Sequence, residues 1–274
     1  EGSEDIRPRL ALIQTHLASG DTDAASAVVD QLLADDPGNL AARYAQAAVH
    51  VMRGETDAAE AGYRELIAET PRLAVAHQAL VALLARTGRG EEAESALAAG
   101  IAATDRDPSL LVLESQRLMA AEDFEGAIAI FDELYALDTS NVVVANNLAS
   151  LLSTHRTDQE SLDRAFQVAR RLRGSENPYF QDTYGWLLTG RGDYQQALTY
   201  LEPAAAALSS DALTQFPLAK TYDALGRMDE ARIAFEKAVE VAGPESELPQ
   251  IAEARARIAE IDATPAEEAE APSE

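Results

Sequence analysis

Apolar positions recur along this chain at spacings of three and four, interrupted at near-regular intervals by short polar breaks. The stretch "DTYGWLLTGRGDYQQAL" (182–198) shows the pattern in one unit. A helical run reaches Thr189, the break holds Gly190, Gly192 and Asp193, and a second helical run follows. Such spacing predicts helices, because residues three and four apart share one face. Glycine costs a helix interior about 1 kcal/mol relative to alanine, so Gly185 beside Trp186 calls for a reason. A second helix too close to admit a side chain supplies one, and Ala197 is its small partner. The stretch therefore predicts two antiparallel helices clasped at Gly185 and Ala197. Only "NVVVA" (141–145) suggests a strand, and it runs straight into "NNLASLL", so helix is expected there too.

The hairpin recurs. Its second-helix alanine is traced through Ala25, Ala59, Ala93 and Ala127, each 34 residues after the last, and on through Ala165, Ala197 and Ala231 at spacings of 38, 32 and 34. Five residues before most of them stands a glycine: Gly20, Gly54, Gly88, Gly192 and Gly226. Glu122 takes that place in the fourth unit, and the fifth has neither the glycine nor the usual turn length. The small-residue position of the first helix reads Ala47, Ser115, Ala149, Gly185 and Ala219, with Ile13 and Val81 as exceptions. Pro37 and Pro71 close the first two units, and seven units are visible in all.

A helix–turn–helix period of 34 residues with this pattern resembles the tetratricopeptide repeat family. The resemblance is carried by "GDTDAASAVVDQLLADDPGN" (20–39), "GETDAAEAGYRELIAETP" (54–71), "DTYGWLLTGRGDYQQAL" and "LAKTYDALGRMDEARIAFEKAV" (218–239), and it covers residues 6–243. It implies an all-α, right-handed superhelical solenoid of about seven repeats. Departures are Asp105 where proline is expected, Gly100 within a second helix, and four extra residues around "THRTDQES" (154–161). Pro203 and Pro217 fall inside predicted helices, where proline removes a hydrogen bond and favours a kink; the alternative is that each starts a shortened helix. Residues 244–262 read as a capping helix with Ile251, Ala254, Ile258 and Ile261 inward and Arg255, Arg257 and Glu260 outward. Residues 263–274 contain only small, acidic and proline residues and are expected to be a disordered acidic tail. Residues 1–5 read as a disordered or non-native start, leaving room for an upstream signal, lipid anchor or further domain.

Composition narrows the function. The chain has 274 residues, 47% hydrophobic but only 5% aromatic, which suits close helix stacking. A net charge of −25 repels nucleic acid and anionic lipid. It serves as solubility for a long body or as a surface for a basic partner. There is no cysteine and no apolar run long enough to span a membrane. His16, His50, His77 and His155 show no ligand spacing, so no metal site is expected. No nucleophile elbow or phosphate cradle appears, and neither catalytic residues nor a cofactor are expected. The reading is a non-enzyme.

The resemblance implies that first helices line a concave groove for a peptide or partner helix. Carried over residue by residue, that face holds Asn146 and Ser150 in repeat five, Tyr179, Asp182 and Trp186 in repeat six, and Phe216, Lys220 and Asp223 in repeat seven. Each has a plainer reading: Tyr179 and Phe216 as interhelix packing, Asn146 as a cap or bridge, and Trp186 as a wedge between repeats. The corresponding early residues, Tyr44, Ala48, Gln78, Ala82 and Arg86, form a smaller and less polar face. The late face mixes aromatics with hydrogen-bonding groups, as interface hot spots do. The lysine/asparagine clamp by which some chaperone-binding members hold a terminal carboxylate is absent. The wording "ANNLASLLS", then "DTYGWLLTGRGDYQQAL", then "LAKTYDALGR" is similar to the closing repeats of bacterial envelope members, some associated with exopolysaccharide export. That implies a protein–protein interaction scaffold, periplasmic or outer-membrane-associated. The alternatives are a cytoplasmic adaptor and the non-catalytic portion of a larger enzyme.

Overall fold

The repeated alanine is the innermost point of each hairpin. In the computed structural model, which describes residues 6–263, Ala25, Ala59, Ala127, Ala165, Ala197 and Ala231 are fully buried and Ala93 nearly so. The described residues form fifteen α-helices and one short 3₁₀ turn, with no strand among them. The expectations for residues 1–5 and 264–274 lie outside the described residues. By their internal contacts the residues group into two units, Glu1–Ile130 and Phe131–Glu274.

In the first unit the hairpins are α1 (Arg7–Ala18) with α2 (Thr22–Asp35), α3 (Leu40–Arg53) with α4 (Thr56–Glu69), and α5 (Ala74–Arg86) with α6 (Gly90–Ala103). Then come α7 (Pro108–Ala120) and α8 (Phe124–Leu137), which runs past the end of the unit. Polar caps start several of these helices. The Asp21 and Asn39 side chains accept from the Ala24 and Ala42 amides, two of the donors a helix start leaves unpaired. One cluster packs Ile13, Val29 and Leu32 against Ala42, Ala45 and Val49, and another packs Tyr63 and Leu66 against Leu80, Leu83 and Leu84.

Gly20, Gly54, Gly88, Gly192 and Gly226 all have a left-handed backbone, with φ between 73° and 82°, whereas Gly190, expected in the break, ends α11. Glu122, which replaces the glycine in the fourth hairpin, adopts the same conformation at φ 57°. The turn geometry is thus kept where the residue type is not. Asp105 and Arg106 are also left-handed, which carries the chain from α6 to Asp107, whose side chain caps α7. Gly100 is explained by its neighbour: a Cβ there would lie 3.0 Å from the His77 ring, which is buried. The His77 Nε2 lies 2.9 Å from the Pro71 carbonyl.

In the second unit α9 (Val142–His155) pairs with α10 (Gln159–Ala169), which tightens into the 3₁₀ turn Arg170–Leu172. The lengthened turn leaves Asp158 to cap α10 by accepting from the Ser161 amide at 2.9 Å. Then follow α11 (Pro178–Gly190) with α12 (Tyr194–Ala207), α13 (Ala212–Ala224) with α14 (Met228–Ala242), and α15 (Pro249–Ala263). Pro203 and Pro217 lie inside α12 and α13 rather than at their starts. The buried Gln215 amide donates to the Ala205 carbonyl at 2.9 Å, serving an acceptor that the end of α12 leaves open. On α15, Ile251 and Ala254 are buried, with Ile251 in a cluster that holds Ala212 and Ala238. Arg257 and Arg255 are not idle outward residues, as the pattern suggested. Arg257 makes a two-pronged bond to Asp223 at 2.8 and 2.9 Å, and Arg255 donates to the Gly243, Pro244 and Ser246 carbonyls.

Candidate functional site

Within the second unit, α9, α11, α13 and α15 contact one another in series and present one face at positions four apart. Asn146 and Ser150 stand on α9, Asp182 and Trp186 on α11, and Phe216 and Lys220 on α13. Ser150, Asp182, Trp186, Phe216 and Lys220 converge on a cavity of about 610 Å³. Leu213 and Pro217 add apolar wall, and α15 closes it with Pro249, Gln250 and Glu253.

Each side chain has a distinct state. Asp182 is partly buried, its Oδ1 is enclosed without a hydrogen-bond partner, and burial, with the Asp211 charge, pushes its carboxyl up to about 7. Asn146 Oδ1, at the equivalent position one first helix earlier, is also buried and unpaired. Trp186 is half-buried and sits between this cavity and a second of about 540 Å³ bounded by Arg156, Asp163 and Arg191. Its ring lies 6.5 Å from that of Phe216, which packs edge-on against Phe235 at 6.0 Å. At 5% exposure Phe216 is chiefly a packing residue with an edge on the cavity. Lys220 Nζ is held by Glu253 Oε1 at 2.5 Å.

Three of the eight residues carried over from the sequence lie elsewhere. Tyr179 is 58% exposed and does not line the cavity. Asp223 is occupied by Arg257 and has a side chain only 16% exposed. Asn146 is partly buried, with its Oδ1 enclosed, and does not line the cavity. Glu253 went unnoticed in the sequence because α15 reads as a cap. The signal was there: Glu253 follows Lys220 by 33 residues and Arg257 follows Asp223 by 34, so α15 continues the first-helix register.

The first unit has its own concavity on α1, α3 and α5. It measures about 350 Å³ and is lined by Leu10, Ile13, Leu17, Leu40, Tyr44 and Val75 among others. Tyr44 leans on Tyr63 with ring centres 5.6 Å apart. This wall offers little beyond apolar contact. No cluster of three or more metal-ligating side chains occurs among the described residues, and no described helix is long and apolar enough to cross a membrane.

A tetratricopeptide repeat model matches residues 10–74 and 185–247. No curated protein matches the chain. Among solved structures, PilF of Pseudomonas aeruginosa is similar at 18% identity and a TM-score of 0.56, over 79% of this chain and 96% of that one. A chain of the APC/C hetero-tetramer Cut9–Hcn1 is similar at 13% identity and a TM-score of 0.54, over 94% of this chain. This chain spans only 49% of that one. YrrB, described as a tetratricopeptide repeat protein with an unusual peptide-binding site, is similar at 15% identity and a TM-score of 0.53, over 71% of this chain and 97% of that one. These likenesses show the fold. The family match over residues 10–74 and 185–247, with the repeat motifs and the helical hairpins, supports the tetratricopeptide repeat family.

Proposed function

We propose that this chain is a non-enzymatic interaction scaffold whose second unit receives a segment of a protein partner in the cavity between α9, α11, α13 and α15. One observation carries the reading: five residues assigned to a partner face from the repeat pattern meet on one cavity wall. A cavity of about 610 Å³ falls within the 300–1,000 Å³ range of ligand clefts. Its mix of aromatic edge, apolar wall and a few polar groups suits a peptide. The peptide-binding description of YrrB belongs to the same class of use. The envelope setting, periplasmic or outer-membrane-associated, is supported by the wording of the late repeats.

Trp186→Ala and Lys220→Ala, made separately, test the site by partner capture from envelope fractions, with helicity checked in parallel. The expected result is loss of the captured chain with helicity unchanged. Retention in both variants, with loss on Tyr44→Ala or Arg86→Ala, moves the site to the early repeats. Cell fractionation of the native protein tests the setting, and a purely cytosolic pool rejects it.

A further inference from the structure

Asp182 is the most costly unpaired group among the described residues. A buried carboxylate without a partner loses its hydration and gains nothing in return. Its Oδ1 has no donor, and the Asp211 charge at the α12–α13 turn repels it. The lysine lining the same cavity, Lys220 on α13, is engaged by Glu253 of α15, and His155 lines the α9 side with contacts of its own. One turn further along α11 from Asp182 stands the Trp186 indole, on the same cavity wall. An unmet acceptor, excess negative charge and an aromatic surface together fit a group that is cationic, planar and rich in donors. Guanidinium has five donors and no acceptor, and it stacks on aromatic faces better than the compact, strongly hydrated ammonium of lysine.

We propose that the cavity takes an arginine side chain from an extended partner segment, with its guanidinium paired to the Asp182 carboxylate and laid against Trp186. The inference rests on the partner-groove reading above and names the chemistry of what enters. Charge complementarity supports it at larger range, because a chain of net charge −25 attracts basic segments. The pairing also carries a proton. Burial pushes the carboxyl up to about 7, and a bound guanidinium favours its ionised form, so binding releases a proton. Affinity then rises with pH, by about tenfold from pH 6 to pH 8, as the ionised fraction grows.

Trp186 is the only tryptophan in the chain, so its fluorescence reports on the two cavities it divides, and Asp182, which lines only the first, tells them apart. The probes are capped nonapeptide pools, with flanks randomised over all residues but Trp and Cys and with arginine, lysine, citrulline or glutamine fixed at the centre. The expected order is arginine tightest, at least tenfold above the isosteric but neutral citrulline, with lysine between them. Asp182→Asn should reduce the arginine-over-citrulline preference to within about twofold, since the remaining acidic surface treats every basic pool alike. Circular dichroism confirms that the variant is folded, and the pH series on the unaltered chain tests the pairing without any substitution. Equal binding of the arginine and citrulline pools, or affinity flat from pH 6 to pH 8, overturns the inference while leaving a peptide groove in place. A fluorescence response to none of the pools overturns it as well, and the capture experiment with Trp186→Ala then decides the broader reading independently.

Discussion

Leu201 occupies the space that a side chain at Gly185 needs. A Cβ at position 185 would lie 2.6 Å from Leu201 Cγ, 2.8 Å from its Cδ2 and 3.3 Å from the Ala197 carbonyl oxygen. The clasp between α11 and α12 therefore involves Ala197 through its backbone, while the bulk that excludes a side chain belongs to Leu201, which is fully buried.

Gly185→Ala should consequently destabilise the second unit by about 1–3 kcal/mol through overpacking, even though alanine is the better helix former. The measurement is a denaturant titration of the variant, of Leu201→Ala and of the double variant. Leu201→Ala alone should cost about 2–5 kcal/mol, and the pair should be less than additive because the smaller neighbour admits the new methyl group. Strict additivity would mean that the two positions do not compete for one space.

Glu122→Gly should stabilise the fourth hairpin. The glutamate holds a left-handed backbone that costs an L-residue about 1–2 kcal/mol and a glycine almost nothing. Glycine also gains chain entropy on unfolding, so the net expected gain is about 1 kcal/mol. A rise in melting temperature with unchanged helicity checks it, and a fall shows that the Glu122 side chain contributes more than its backbone costs.

The Asp182 carboxyl, raised to about 7 in the fold, makes stability depend on pH in a definite direction. The native state holds the proton more tightly than the unfolded chain, so this stabilisation is full below the unfolded carboxyl range near 4. It is lost as pH rises through about 7. Asp182→Asn removes this dependence and should be more stable than the parent at pH 8, by roughly 2–4 kcal/mol, with little difference at pH 4. Thermal melts of both proteins across that range provide the comparison. A parent no less stable at pH 8 than the variant would show that the carboxylate finds a partner.

Arg257 ties α15 to α13 through Asp223. The pair is partly exposed, so Arg257→Ala should cost only about 1 kcal/mol globally. The local effect is larger in kind. Amide exchange should quicken along α15, because the helix loses one of its ties to α13 and keeps Lys220–Glu253, Arg232–Asp262 and the apolar contacts of Ile251 and Ala254. Faster exchange confined to α15 is the expected signature, and unchanged protection there would place the anchoring in those remaining contacts alone.

How far the sequence reached follows from which forces are local. The period of 34, the helical spacing of apolar residues and the buried alanines are one-dimensional signals, and each repeat packs on its neighbours, so they determined the hairpins and their register. The turn glycines were legible for the same reason, since a left-handed residue is a local need that Glu122 meets at a cost. Hydrogen-bond and ion partners were not legible. Whether Asp223 faces a groove or an arginine, and whether Lys220 stands free or meets Glu253, depends on α15 arriving beside α13, an arrangement set by packing across more than thirty residues. The solitude of Asp182 was equally beyond the sequence, because an unpaired buried acceptor is defined by what fails to reach it. The sequence by itself determined which residues stand on the first-helix face. Only the tertiary structure decided which of them are spent on holding the helices together and which remain open to a partner, since that division is a matter of distances between helices and not of order along the chain.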